Sequence, residues 1–95
     1  MRLPLYSSRA AGAAPNLVAI QNPALGMLPT VLVCPIQESA TLTDVRVGMT
    51  WQDKHYTVLC ELARPINRKT LRRVGELDAA TSQRIIETFV SLLAL

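Results

Sequence analysis

Ninety-five residues, with a formal net charge of +3, are expected to make one domain, residues 1–95. A hydrophobic fraction of 49% exceeds what one small core needs, so a dimer or partner face is expected. No apolar run approaches the roughly 18 residues of a membrane span, and Met1–Ser8 lacks the apolar centre of a signal peptide, so a cytoplasmic chain is expected.

Leu3–Ser8 predicts a short first strand, and Arg9–Ala14 a flexible loop of small residues. Leu17–Gln21, bounded by Pro15 and Asn22-Pro23, reads as a second strand. Thr30–Ile36 is the strongest strand: β-branched and nearly all apolar, as expected where both faces are covered. Pro35 places the end of that strand at an edge or bulge. Gln37–Asp44 is polar and loop-like. Val45–Trp51 alternates, with Val45, Val47, Met49 and Trp51 on one face. After a tight turn at Gln52-Asp53-Lys54, His55–Leu62 alternates again, with Tyr56, Val58, Cys60 and Leu62 facing one way; together they predict a hairpin. Asn67 can cap a short helix from Arg68 to about Arg73, ended by Gly75. Asp78 caps a terminal helix from Ala79 to about Ala94, whose Ile85, Phe89 and Leu92 form a wide apolar stripe. Five short strands and this helix suggest a curled antiparallel sheet or partial barrel; a plain α+β sandwich fits the same pattern.

The chemistry the residues allow is narrow. Cys34 and Cys60 match no metal or redox spacing and are expected to be buried free thiols. His55 is the single histidine, so no metal cluster, no Cys/His pair and no cofactor are expected. Arg64, Arg68, Lys69, Arg72 and Arg73 lie within ten positions and favour an anionic partner, either nucleic acid or an acidic protein. RNA can be cleaved without a metal. The reaction needs a base near a 2′-hydroxyl, an acid at the leaving 5′-oxygen, and a cation on the phosphorane. Arginine suits the last role because its planar fork binds phosphate through two hydrogen bonds. Glu61 and Arg64, on a strand end and the following turn, can share one cleft. Arg9, in the Gly/Ala loop, is a second cation.

Two stretches carry a family resemblance. PNLVAIQN followed by LPTVLVCPI looks like the second and third strands of the MazF/PemK ribonucleases of bacterial toxin–antitoxin modules. VLCELARPINRKTLRRVGELDAATSQRI looks like their last strand, short helix and terminal helix. Glu61 falls on the acid of their Cys-Asp-Gln pattern, and Arg64 matches the arginine three residues later. Ala14 stands where that family has an arginine before the proline of the second strand, which leaves Arg9 as the replacement cation. Gln37 stands at the family's Thr or Ser after the third strand, with Ser39 two residues on. The short N-terminus and TDVRVGMTWQDKHYTVL also resemble the sister branch, the CcdB gyrase poisons. That branch typically ends Trp/Phe-Gly-Ile; this chain ends Leu93-Ala94-Leu95.

The resemblance implies an α+β fold: a small SH3-like antiparallel β-barrel of about five strands with a short helix and a C-terminal amphipathic helix. It implies a homodimeric toxin of a type II toxin–antitoxin module, bound by an acidic antitoxin protein. The implied activity is metal-independent cleavage of single-stranded RNA, with Arg9 and Glu61 catalytic and Arg64, Gln37 and Ser39 binding substrate. The alternatives are a CcdB-like DNA gyrase inhibitor and a non-catalytic member that only binds antitoxin.

Overall fold

The computed structural model describes residues 1–9, 14–20 and 28–93. Seven antiparallel strands lie among them: β1 (Pro4–Ser7), β2 (Leu17–Ala19), β3 (Thr30–Gln37), β4 (Arg46–Trp51), β5 (Lys54–Leu59), β6 (Arg64–Asn67) and β7 (Arg72–Glu76). One helix follows, α1 (Ala79–Leu93). The strand order is β4-β5-β3-β2-β1-β7, with β6 also on β3. The sheet curls into a half-barrel that α1 covers, so the α+β barrel expectation holds and the flat sandwich does not. Most of the predicted Ala/Gly loop, the end of the predicted second strand and the connection after it lie outside the described residues.

Strands β2 and β3 are apolar on both faces because both faces are covered. Val18, Cys34 and Ile36 join Leu3, Leu5, Met49, Val58, Leu77 and Ile85 in the core under the helix. Leu17, Ala19, Val31 and Val33 pack on the opposite face against Tyr6, Ile66 and Leu71. Pro35 is tolerated in this central strand for a specific reason. The Ile36 N–H donates to the Asn16 carbonyl on the β2 side. Alternation turns Pro35 to the other edge, where the partner of β3 changes from β6, ending at Val33, to β5, starting at Ile36. The missing N–H falls in that gap.

The hairpin forms as expected, with Met49 opposite Tyr56 and Trp51 opposite Lys54. Its two-residue turn, Gln52-Asp53, has φ of 48° and 66°, the left-handed backbone that matches strand twist in short hairpins. The predicted second arm is too long. The chain leaves the sheet after Leu59 and makes a 3₁₀ turn at Cys60–Leu62, so Glu61 is not on a strand and Leu62 faces solvent.

The predicted helix from Arg68 to Arg73 is replaced by a 3₁₀ turn, Arg68–Thr70, and then β7. Asn67 does cap that turn, its Oδ1 accepting the Lys69 N–H at 2.9 Å. Pairing then overrides local propensity. The outer edge of β1 is otherwise bare, and Arg72–Glu76 fills it in the register Ser7 to Arg72 and Pro4 to Glu76. Gly75 ends no helix. It sits opposite Leu5 beneath the Trp51 ring, which a Cβ would overlap.

Asp78 caps α1, its Oδ2 accepting the Thr81 N–H and hydroxyl, each at 3.0 Å. These two bonds hold the Asp78 carboxyl below the usual carboxylate range. The Leu3 N–H donates to the buried Ser82 hydroxyl at 2.9 Å, and the Leu77 N–H to the Leu3 carbonyl at 2.9 Å, so the helix start is stitched to the chain start. Ile85 is fully buried, while Phe89, Ile86 and Leu92 are half-buried at the rim and Leu93 is exposed. Cys34 and Cys60 are buried and free. A hydrogen bond with Cys60 and burial push the Cys34 thiol far up. Among the described residues no helix is long and apolar enough to cross a membrane.

Candidate functional site

The site forms where β1 ends, β2 begins and β3 ends. Asn16 fixes that corner. Its N–H donates to the Tyr6 carbonyl at 3.0 Å. Its side chain accepts the Ser8 N–H at 3.0 Å and donates to the Ser8 hydroxyl at 2.9 Å. Ser7, buried in β1, accepts the Arg9 N–H at 3.1 Å, and Arg72 Nη1 donates to the Arg9 carbonyl at 3.1 Å. The main chain of Arg9 is therefore held on both sides. Among the described residues its guanidinium has no ion pair.

A cavity of about 340 Å³ opens there, lined by Arg9, Ala14, Asn16, Gln37, Glu38 and Tyr56 with Pro15 and Ile36 behind. A second cavity of about 570 Å³ adjoins it and shares Glu38 and Tyr56. Its wall is the outer face of the β4–β5 hairpin, where Thr50 Oγ1 and His55 Nδ1 lie 3.3 Å apart, and its far side is the start of α1 with Asp78 and Arg84. Leu42 and Met49 supply apolar surface.

The structure brings two of the five sequence-selected residues together: Arg9 and Gln37 line one cavity. Glu61 is elsewhere. Its Oε2 accepts Arg46 Nη2 and Nε, each at 2.9 Å, and Arg46 Nη1 also reaches the Thr41 carbonyl at 3.1 Å. Arg64 lies exposed on β6 opposite Val33, and Ser39 is exposed in the bend after β3. None of these three lines either cavity. Sequence reasoning passed over Asn16, Glu38 and Tyr56. Position offers a signal for two of them: Asn16 follows Pro15 directly, and Glu38 follows Gln37.

The basic cluster is partly committed to structure. Arg68 Nε donates to the Leu28 carbonyl at 3.0 Å, Arg72 braces Arg9, and Arg73 pairs with Glu76 at 3.1 Å. No grouping of His, Cys, Asp and Glu suited to a metal occurs among the described residues. The Arg9 cavity presents guanidinium and amide donors suited to a phosphodiester, beside one carboxylate.

No family model matches the chain, and no curated protein matches it in sequence. Its fold does match solved structures. A MazE–MazF complex from Deinococcus radiodurans superposes with a TM-score of 0.80 at 18% identity, over 97% of this chain and 93% of that one. An endoribonuclease in complex with its cognate antitoxin, from a mycobacterial species, gives 0.75 at 17%, over 98% and 92%. A MazF toxin from Mycobacterium tuberculosis gives 0.73 at 19%, over 100% and 98%. The chain therefore has the MazF fold.

Proposed function

We propose that this chain is the toxin of a type II toxin–antitoxin module and a metal-independent endoribonuclease acting on single-stranded RNA. One observation carries the reading: Arg9 and Gln37, 28 residues apart in the chain, line a single cavity on a MazF-type fold. Arg9 there takes the role of a phosphate cation at the corner where Ala14 stands. Arg9 stabilises the extra charge of the phosphorane, and the Asn16 and Gln37 amides hold phosphate oxygens. Arg64 and Ser39, both exposed, extend the contact to flanking phosphates.

A homodimer and an acidic antitoxin complete the proposal. Leu28, Leu42, Leu62, Val90 and Leu93 are large apolar side chains left exposed on so small a protein, which favours a covered face. Two of the similar structures hold an antitoxin, and the net charge of +3 suits an acidic one. The gyrase-inhibitor reading is not favoured, since the similar structures are MazF toxins and antitoxin complexes.

The test is direct. Purified protein incubated with single-stranded RNA should cut it equally well with and without EDTA. Loss of cleavage in EDTA would contradict the metal-independent part, and no cleavage under either condition would contradict the enzyme.

A further inference from the structure

Glu38 stands at the junction of the two cavities. It directly follows β3, and with Tyr56 it lines both the 340 Å³ cavity that holds Arg9 and the 570 Å³ cavity beside it. Its side chain is 60% exposed, with Lys54 Nζ 3.9 Å from Oε1, so a ligand in either cavity reaches the carboxylate. Resting on the cleavage reading above, we infer that Glu38 is the general base of that reaction, with the scissile phosphate at Arg9 and the nucleotide on its 5′ side in the larger cavity.

In RNA the attacking 2′-hydroxyl lies between the base of its nucleotide and the 3′-phosphate. A phosphate held by Arg9 and a base in the adjoining cavity put that hydroxyl at the partition, which is Glu38. The larger cavity suits a base: at about 570 Å³ it falls within the usual size of small-ligand pockets. His55, Thr50 and Thr57 offer hydrogen-bonding groups, and Leu42 and Met49 offer apolar surface. Glu61 lacks this placement, since Arg46 holds it outside both cavities.

The step balances without a metal or cofactor. The Glu38 carboxylate takes the 2′-hydroxyl proton, and the 2′-oxygen forms a bond to phosphorus. Arg9 holds the added negative charge. The bond from phosphorus to the 5′-oxygen then breaks; that oxygen leaves with the electron pair and takes a proton from water. Glu38 returns its proton to solvent. The products are a 2′,3′-cyclic phosphate and a 5′-hydroxyl end.

The experiment is single-turnover cleavage of an RNA that the wild type cuts, by Glu38→Gln, Glu38→Asp, Glu61→Gln and Glu87→Gln proteins. Binding of the same oligonucleotide with 2′-deoxyribose at the cut site is measured alongside. Glu38→Gln should slow cleavage about 10²–10⁴-fold, the usual cost of losing a general base, while binding the deoxy analogue as tightly as wild type. Glu38→Asp should recover part of the rate. Glu87→Gln, a charge change on the exposed face of α1, should cut normally. Wild-type cleavage by Glu38→Gln overturns the inference, as does a loss explained entirely by weaker binding. If Glu61→Gln alone abolishes cleavage, the ribonuclease reading stands and Glu38 is wrong. If the wild type cuts nothing, both fall together.

Discussion

Two corners of the same sheet each place an arginine near a carboxylate, and they are used differently. At one corner Arg46 is spent: Glu61 takes two of its N–H groups at 2.9 Å and the Thr41 carbonyl a third at 3.1 Å. At the other, Arg9 is anchored through its main chain, to Ser7 and Arg72, and lines a cavity of about 340 Å³. An arginine with three of its five N–H donors matched within the protein locks two segments together. One whose backbone is fixed but whose fork has no ion pair keeps its donors available to an anion, and only the side chain remains to be ordered on binding. The pairing of Glu61 with Arg46 is of the first kind; on the proposed reading the Arg9 corner is of the second.

The largest predicted effect removes the difference by damaging both corners. Ile85 is fully buried beneath the sheet that carries them. Ile85→Ala should cost roughly 2–5 kcal/mol, read as the shift in denaturant midpoint. That is a large part of the stability of a domain this small, so neither corner should survive mild denaturant. Phe89→Ala should cost less, because Phe89 is half-buried at the rim.

Arg9→Ala should separate the corners. Losing one donor to developing charge typically costs about 10²–10³-fold in rate, equivalent to about 2.7–4 kcal/mol. Arg9 is exposed, so the melting temperature should stay where it is. A fall in melting temperature to match the lost activity would move Arg9 into the structural class.

Glu61→Gln should show the reverse profile at smaller scale. The Arg46 and Glu61 side chains are 25% and 28% exposed, so water screens the pair. Its loss should cost under about 1 kcal/mol in a double-mutant cycle with Arg46→Gln.

The smallest effect is confined to acid. The folded Asp78 carboxyl lies below its ordinary value of 3.8, so its cap stabilises the fold above that value. The contribution fades as pH falls through the lower, folded value. Asp78→Asn should leave neutral stability nearly unchanged, since asparagine caps as well as aspartate. It should flatten the loss of melting temperature in acid; an unaltered acid profile would exclude the cap as its source.

The elements that were legible in the sequence are those whose pattern reports burial. Both-sided burial of Thr30–Ile36 and alternation through Val47, Met49, Tyr56 and Val58 gave the central strand and the hairpin. Asp78 and the Ile85 stripe gave the helix. What escaped depends on partners far along the chain. Arg72 and Arg73 read as the end of a short helix by themselves and instead open a strand because β1 offers a bare edge. The alternation from His55 runs on through Leu62, but the backbone turns at Cys60, and Glu61 leaves with it. In the candidate site, Arg9 and Gln37 stood out in the sequence as polar side chains at a loop start and a strand end, and the structure places both on one cavity. Glu38 sits in a polar stretch without periodicity, and only the meeting of two cavities marks it.

On the proposed reading the scissile phosphate binds at the Arg9 corner, and of the arginine-rich segment from Arg64 to Arg73 only Arg64 touches RNA, at a flanking phosphate. Titrating isotopically labelled protein with a single-stranded RNA made uncleavable by 2′-deoxy substitution, and following backbone amide resonances, tests it most directly. Residues Asn16, Gln37 and Glu38 should shift first and furthest, and Arg9→Ala should abolish those shifts. If the largest shifts instead run through Ile66, Lys69 and Arg73 and persist in Arg9→Ala, RNA binds the basic segment and the account is contradicted.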